Sequence, residues 1–205
     1  MGEGEITTLD SILNAAKSEF LEKGYRGASL RNIAKKAGVT TGAFYGYFKN
    51  KEQIFERLVG CVYNGLIGIY KNVLKNFQNQ SPEDQFENMF SFSEQGMLKM
   101  IDYIFENFET FKLIICCSEG TGYSNLIHDM AKMEVEATHD FAKSTGSAGM
   151  PLKHINSNVE HILTSGMFSA YFEIVRHDIP RDEAYEYIEQ LFDFYSAGWA
   201  KIMGL

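Results

Sequence analysis

The chain has 205 residues, 45% of them apolar, 22% charged and 14% aromatic, with a formal net charge of −8 at pH 7. That apolar content excludes intrinsic disorder, and three cysteines, two of them adjacent (Cys116 and Cys117), exclude a disulfide scaffold and fit a reducing compartment. No apolar run approaches the roughly 18 residues of a membrane span, and the acidic start Met-Gly-Glu-Gly-Glu lacks the features of a signal peptide, so the expected location is cytoplasmic.

Helical periodicity runs along nearly the whole chain. Leu9, Ile12, Leu13, Ala16 and Phe20 form one apolar stripe, predicting a helix that opens on a Thr7–Asp10 capping box and stops at Gly24. A short helix follows, with Ser29 as its cap, Leu30, Ile33, Ala34 and Ala37 inward, and Gly38 as its stop. Thr40 caps a third, and Val39 and Phe44 stand at the two positions of a hydrophobic staple. Asn50, with Gln53 three residues on, caps a fourth. Its apolar row Ile54, Leu58, Val62, Leu66, Ile69 and Val73 carries it to about Phe77, roughly 40 Å at 1.5 Å per residue.

Ser81 and Pro82 open the next helix, over about 82–106. Shorter segments follow at about 108–118 and 123–144, then a loose Gly- and Ser-rich stretch at 144–151. Two long helices at about 155–177 and 180–203 close the chain. No stretch alternates with period two. The expected fold class is all-α, with about nine helices.

Charge is divided unevenly. Residues 1–55 carry eight Lys/Arg and six Asp/Glu, or +2, whereas the rest carry eleven and twenty-one, or −10. From Lys23 to Lys51 there are seven basic residues, Arg31 among them, and no acid. Such an island suits a local phosphate-binding surface. It coincides with two short helices joined by Ala37-Gly38-Val39-Thr40, which have helix-turn-helix proportions. Gly38 can take the left-handed conformation that the reversal needs. Thr40 and Thr41 place hydroxyls and free N–H groups where phosphate or base edges can meet them. Phe44 and Phe48, four apart, face inward, which leaves Ala43, Tyr45 and Tyr47 outward. Two tyrosines beside basic residues suit a surface that packs on sugar-phosphate and reads a groove.

The run 28–52 combines an Ile33-Ala34 pair, an Ala37-Gly38-Val39 turn, a Gly42-x-x-Tyr45-x-x-Phe48 helix and a Lys51-Glu52 opening. In this it resembles the signature of the tetracycline-repressor (TetR) family. The resemblance implies an N-terminal three-helix helix-turn-helix DNA-binding domain over 1–51 and a C-terminal helical bundle over 52–205 for effector binding and dimerisation. It places Thr41, Gly42, Ala43 and Tyr45 near bases or the adjacent backbone, and Ser29, Thr40, Tyr47 and Lys51 at phosphates of a double-stranded operator. One departure is Gly46, where the family usually has an aromatic residue, His or Asn; glycine weakens a helix by about 1 kcal/mol against alanine. The implied activity is transcriptional regulation, chiefly repression, by a homodimer whose recognition helices enter major grooves about 34–36 Å apart.

The C-terminal part carries two further expectations. The helix at 155–177 is apolar on two sides and must be covered on both. Its small residues Gly166, Ser169 and Ala170, with Leu191, Tyr195 and Trp199 of the last helix, are the expected dimer surface. The middle helices are rich in Phe, Tyr and Met, which suits an adaptable cavity for a neutral or cationic apolar effector. Tyr103, Cys117, Tyr123 and His128 are the polar groups expected to point into it. The five histidines show no metal-ligand spacing, and nothing assembles a nucleophile with a base, so neither metal, cofactor nor enzymatic activity is expected. A redox-responsive DNA-binding regulator using Cys116 and Cys117 is the alternative, with a helical-bundle enzyme a more distant one.

Overall fold

The computed structural model of the protein describes residues 7–205. The acidic start at 1–5, on which the signal-peptide reading rests, lies outside the described residues. Every regular element described is helical. In chain order these are α1 (Thr8–Gly27), α2 (Leu30–Lys36), α3 (Thr41–Tyr47), α4 (Lys51–Gln78), α5 (Pro82–Glu106), α6 (Phe108–Cys117), α7 (Leu126–Ser147), α8 (Ser157–Tyr171), α9 (Glu173–Arg176) and α10 (Arg181–Met203). A 3₁₀ turn at Gly122–Asn125 precedes α7. Residue 172 alone separates α8 from α9, so together they form the single interrupted helix expected at about 155–177. No helix among the described residues is long and apolar enough to cross a membrane.

The caps read from the sequence at Thr7, Thr40, Asn50 and Ser81 are formed, whereas Ser29 makes no side-chain capping bond. Thr7 and Asp10 make a reciprocal capping box, and the helical dihedrals break at Gly24 (φ 66°, ψ 168°) although the hydrogen-bonding pattern continues to Gly27. Ser81 and Asp84 exchange hydrogen bonds at the start of α5. Asn50 Oδ1 accepts from the Gln53 N–H at 2.9 Å, while Gln53 reaches back to the Lys49 N–H. The α7 segment starts later than periodicity suggests, because 122–125 winds as a 3₁₀ turn held by Thr121 Oγ1, which accepts from the Tyr123 N–H. It also ends later. Thr145 is buried and its hydroxyl donates to the Phe141 carbonyl at 3.0 Å, holding helical a stretch that composition marks as loose.

Packing divides the chain into two units, one of 1–64 with 107–124, the other of 65–106 with 125–205. This differs from a division at residue 51. In the first unit α1 packs against α2 and also against α6, a segment that chain order alone would assign to the C-terminal bundle. Ile12, Ala16 and Phe20 of α1, Ile54 and Phe55 of α4, and Phe111, Leu113 and Ile114 of α6 are all buried in this unit. Phe20 meets Phe55 edge-on at 5.1 Å, and Tyr25 meets Phe55 at 5.3 Å.

In the second unit α7 packs on α8 and α5, and α10 on α5 and α8. Methionines and aromatics fill it: Met97, Met100, Met130, Phe168 and Tyr171 are all buried. The Tyr171 hydroxyl donates to the Met97 carbonyl at 2.8 Å, so the phenol enters the core with its polar end satisfied.

Candidate nucleic-acid interface

The helix-turn-helix is built around Phe44. It is 1% exposed, and Ile33, Ala34 and Phe48 are buried in the same unit. Gly38 turns the chain at φ 69°, and Thr40 Oγ1 accepts from the Ala43 N–H at 3.2 Å to start α3. With Phe44 inward, the rest of α3 points out. Thr41, Gly42, Ala43, Gly46 and the cap Thr40 are exposed, and Tyr45 and Tyr47 are 51% and 49% exposed. No atom lies within 4 Å of where a Cβ would stand on Gly42 or Gly46, so both backbones are open to close approach.

Charge around this face is less free than the sequence implies. Lys23 pairs with Glu22, Arg26 with Glu119, and Lys36 with both Glu19 and Glu22. Lys23 first, then Lys36, pulls the Glu22 carboxyl down to about 2. Lys51 is committed inside the domain. Its ammonium donates to the carbonyls of Arg26 and Ala28, each at 3.2 Å, and stands 4.6 Å over the Tyr25 ring. It thereby caps the end of α1 as a cation should. Among the described residues Arg31, Lys35 and Lys49 have no acidic partner and are exposed. Lys51→Ala should therefore lower stability by about 1 kcal/mol, read as a drop in melting temperature. An unchanged melting temperature would show that its carbonyl bonds stabilise nothing.

Ser29 differs in part from its expected role. It stands at the N-cap of α2, but its side chain makes no capping bond. Its N–H instead donates to Glu19 at 3.4 Å. Glu19, whose side chain is 1% exposed, also accepts from Asn32 at 3.2 Å and from Lys36 at 2.9 Å. This buried carboxylate ties α2 to α1, and periodicity gives no sign of it, since a Glu on an amphipathic helix reads as solvated. The Lys36 bond, against the opposing effect of burial, holds its carboxyl below the ordinary value. A lowered carboxyl contributes stability that is fully present above about pH 4.5 and is lost as pH falls through the lowered value. Denaturant unfolding from pH 7 to pH 3 should show that acid limb, flattened in Glu19→Gln and with Glu22 supplying the remainder.

The four residues expected in an effector cavity fall in different packing units. Cys117 is buried in the first unit, where Tyr123 packs against Phe55 and Tyr63. Tyr103 and His128 belong to the second unit. His128 is exposed, its ring 5.8 Å from that of His161. A cavity of about 120 Å³ does lie in the second unit, lined from α4, α5, α7, α8 and α10, and none of the four lines it. The physical reason is α6: once it packs with α1, Cys117 and Tyr123 go with it. Tyr195 and Trp199, expected at a dimer surface, also line this cavity. Gly166, Ser169, Ala170 and Leu191 are half-buried within the single chain. Cys116 is exposed and Cys117 buried, and burial pushes the Cys117 thiol up, away from the reactive thiolate a redox sensor needs.

The exposed helix-turn-helix face of this all-α chain has counterparts among known proteins. Residues 12–58 match the profile of bacterial regulatory proteins of the tetR family. The chain is 36% identical over 101 residues to the TetC protein of transposon Tn10 from Escherichia coli, covering 49% of this chain and 46% of TetC. It is 31% identical over 88 residues to the transcriptional repressor KstR2 of Mycolicibacterium smegmatis, covering 43% and 42% of the two chains. The match thus spans less than half the length of these relatives. The fold extends further: SCO3833 of Streptomyces coelicolor A3, a TetR-family member, superposes with a TM-score of 0.59 at 16% identity, over 97% of this chain and 92% of its own. The similarity to the tetR family of bacterial regulatory proteins is thus carried by the N-terminal residues 12–58.

Proposed function

We propose that the protein is a homodimeric, sequence-specific DNA-binding transcriptional regulator of the cytoplasm, a repressor released from its operator by a small apolar effector. The observation that carries this reading is α3, whose two half-exposed tyrosines stand over buried Phe44 and Phe48. Free cations on Arg31, Lys35 and Lys49 accompany them in the same unit. Tyr45, with Thr41, Gly42 and Ala43, is the reading edge. Ser29, Arg31, Thr40 and Tyr47 meet phosphates, with Lys51 acting from the end of α1. Residues 1–51 serve DNA, and 52–205 serve the effector and the second copy. Genome-wide capture of bound fragments tests this. The expected result is one inverted repeat with half-sites about one helical turn apart; fragments sharing no sequence would overturn the reading.

Support for the second copy comes from α8 and α10. Val159, Ile162 and Leu163 share one face of α8 at helical spacing and are 45%, 66% and 37% exposed, and Phe194 of α10 is 73% exposed. Met167, Phe168 and Tyr171 on the other face of α8 are buried. Ile162→Glu is the informative variant, because a side chain so exposed can change without disturbing the single chain, whereas a Cβ on Gly166 would already press Tyr195 Oη at 3.3 Å. It should leave helicity unchanged, yield monomer in sedimentation, and lose DNA affinity. A wild-type protein that is monomeric at micromolar concentration would remove the premise.

A further inference from the structure

The cavity in the second unit has a wall of mainly apolar side chains, with a few hydroxyls and a single charged group. Phe77, Met97, Met100, Phe168 and Trp199 typify its wall, and Glu134 of α7 is the only Asp, Glu, Lys, Arg or His that lines it. Glu134 receives a hydrogen bond from the hydroxyl of Tyr70, itself 5% exposed. A carboxylate at an apolar wall is costly unless paired, and this one faces no cation there. A single phenol satisfies only part of its accepting capacity, since an ionised carboxylate offers about four lone-pair sites.

We propose that this cavity binds a small apolar amine, its ammonium paired with Glu134 and its hydrocarbon among the methionine and aromatic side chains. The inference rests on the reading of this part of the chain as effector-binding and gives that effector a chemical class. An ammonium supplies both what the site lacks, a positive charge and further donors to the carboxylate. An anionic head would meet Glu134 as a like charge with no Lys, Arg or His to offset it. A neutral alcohol would leave the carboxylate uncompensated. Burial raises the Glu134 carboxyl above its ordinary value, so a bound cation also favours its ionised form. At about 120 Å³ the cavity has room for on the order of ten non-hydrogen atoms. Flexible methionines along the wall can adapt to the chain of such a molecule.

Trp199 is the only tryptophan of the chain and lines the cavity, so its fluorescence reports occupancy without DNA. The probes are octylamine, octanol and octanoate, which share one hydrocarbon and differ in head group, titrated at pH 7 and fixed salt. Wild-type protein should bind octylamine at least ten-fold more tightly than either of the others. Glu134→Gln, which keeps the size and a partner for Tyr70, should bring octylamine to the affinity of octanol. Tyr70→Phe removes the phenol, keeps the carboxylate, and should retain the preference. Binding of none of the three, octanol or octanoate binding as tightly as octylamine, or an undiminished preference in Glu134→Gln would overturn the inference. DNA affinity is measured separately. An amine that binds with the expected preference yet leaves DNA binding unchanged sustains the site and counts against the regulatory reading alone.

Discussion

Replacing Phe44 by alanine should destabilise the protein by about 3–5 kcal/mol and abolish DNA binding, while Tyr45→Ala, one residue away, should leave stability almost unchanged and weaken operator binding selectively. Phe44 is 1% exposed at the centre of the helix-turn-helix, so its removal leaves a cavity that seven-residue α3 has no means to refill. Tyr45 is 51% exposed and touches the ring of Phe44 edge-on at 5.7 Å, a contact of small worth. Its truncation should change stability by no more than about 0.5 kcal/mol. On the proposed function it removes surface that reads DNA, so titrations should show affinity falling on the operator and much less on random duplex. Thermal unfolding run beside both titrations separates the roles. A Tyr45→Ala protein that keeps full operator preference would take α3 out of the recognition role.

That pair of neighbours also shows what periodicity can and cannot deliver. Inward Phe44 and Phe48 and outward Tyr45 and Tyr47 follow from a 3.6-residue repeat, and Gly38 from the need for a left-handed residue in a tight reversal. Both are local demands, and both are legible. Glu19 is not, because its burial depends on Ser29, Asn32 and Lys36 arriving from α2, ten to seventeen positions along the chain. The same holds for Lys51, whose partners are the carbonyls of Arg26 and Ala28. Charge counted along the sequence therefore overstates the free basic surface, since Lys23, Arg26, Lys36 and Lys51 are all committed within the fold. The cavity is half-legible. Its methionine and aromatic wall stands out as a stripe, but Glu134 and Tyr70 meet only through the packing of α4 with α7. The polar residues expected in it depend on where α6 goes, and α6 is claimed by α1.

Glycines in α4 give the last and sharpest test, because three positions that look alike in sequence differ in space. Gly60, Gly65 and Gly68 all read as weak points in a 28-residue helix. At Gly68 no atom stands within 4 Å of where a Cβ would lie, whereas at Gly65 a Cβ would lie 2.0 Å from Tyr103 Oη and 2.7 Å from its Cζ. Gly65 is therefore a close approach between α4 and α5. Gly68→Ala should stabilise the protein by about 0.5–1 kcal/mol, since it restricts the unfolded chain and costs no contact. Gly65→Ala should destabilise it by about 1–3 kcal/mol, as the Tyr103 ring is driven out of place. The penalty should shrink in a Tyr103→Ala background, a non-additivity that a double-mutant cycle by denaturant unfolding measures directly. Full additivity would mean that the helices part without involving Tyr103. Substituting both glycines together, as a means of stiffening α4, would confound a relaxed helix with a strained one. Gly68→Ala alone isolates stiffness, so any change it makes in how ligand and DNA affinities respond to each other is owed to the helix itself.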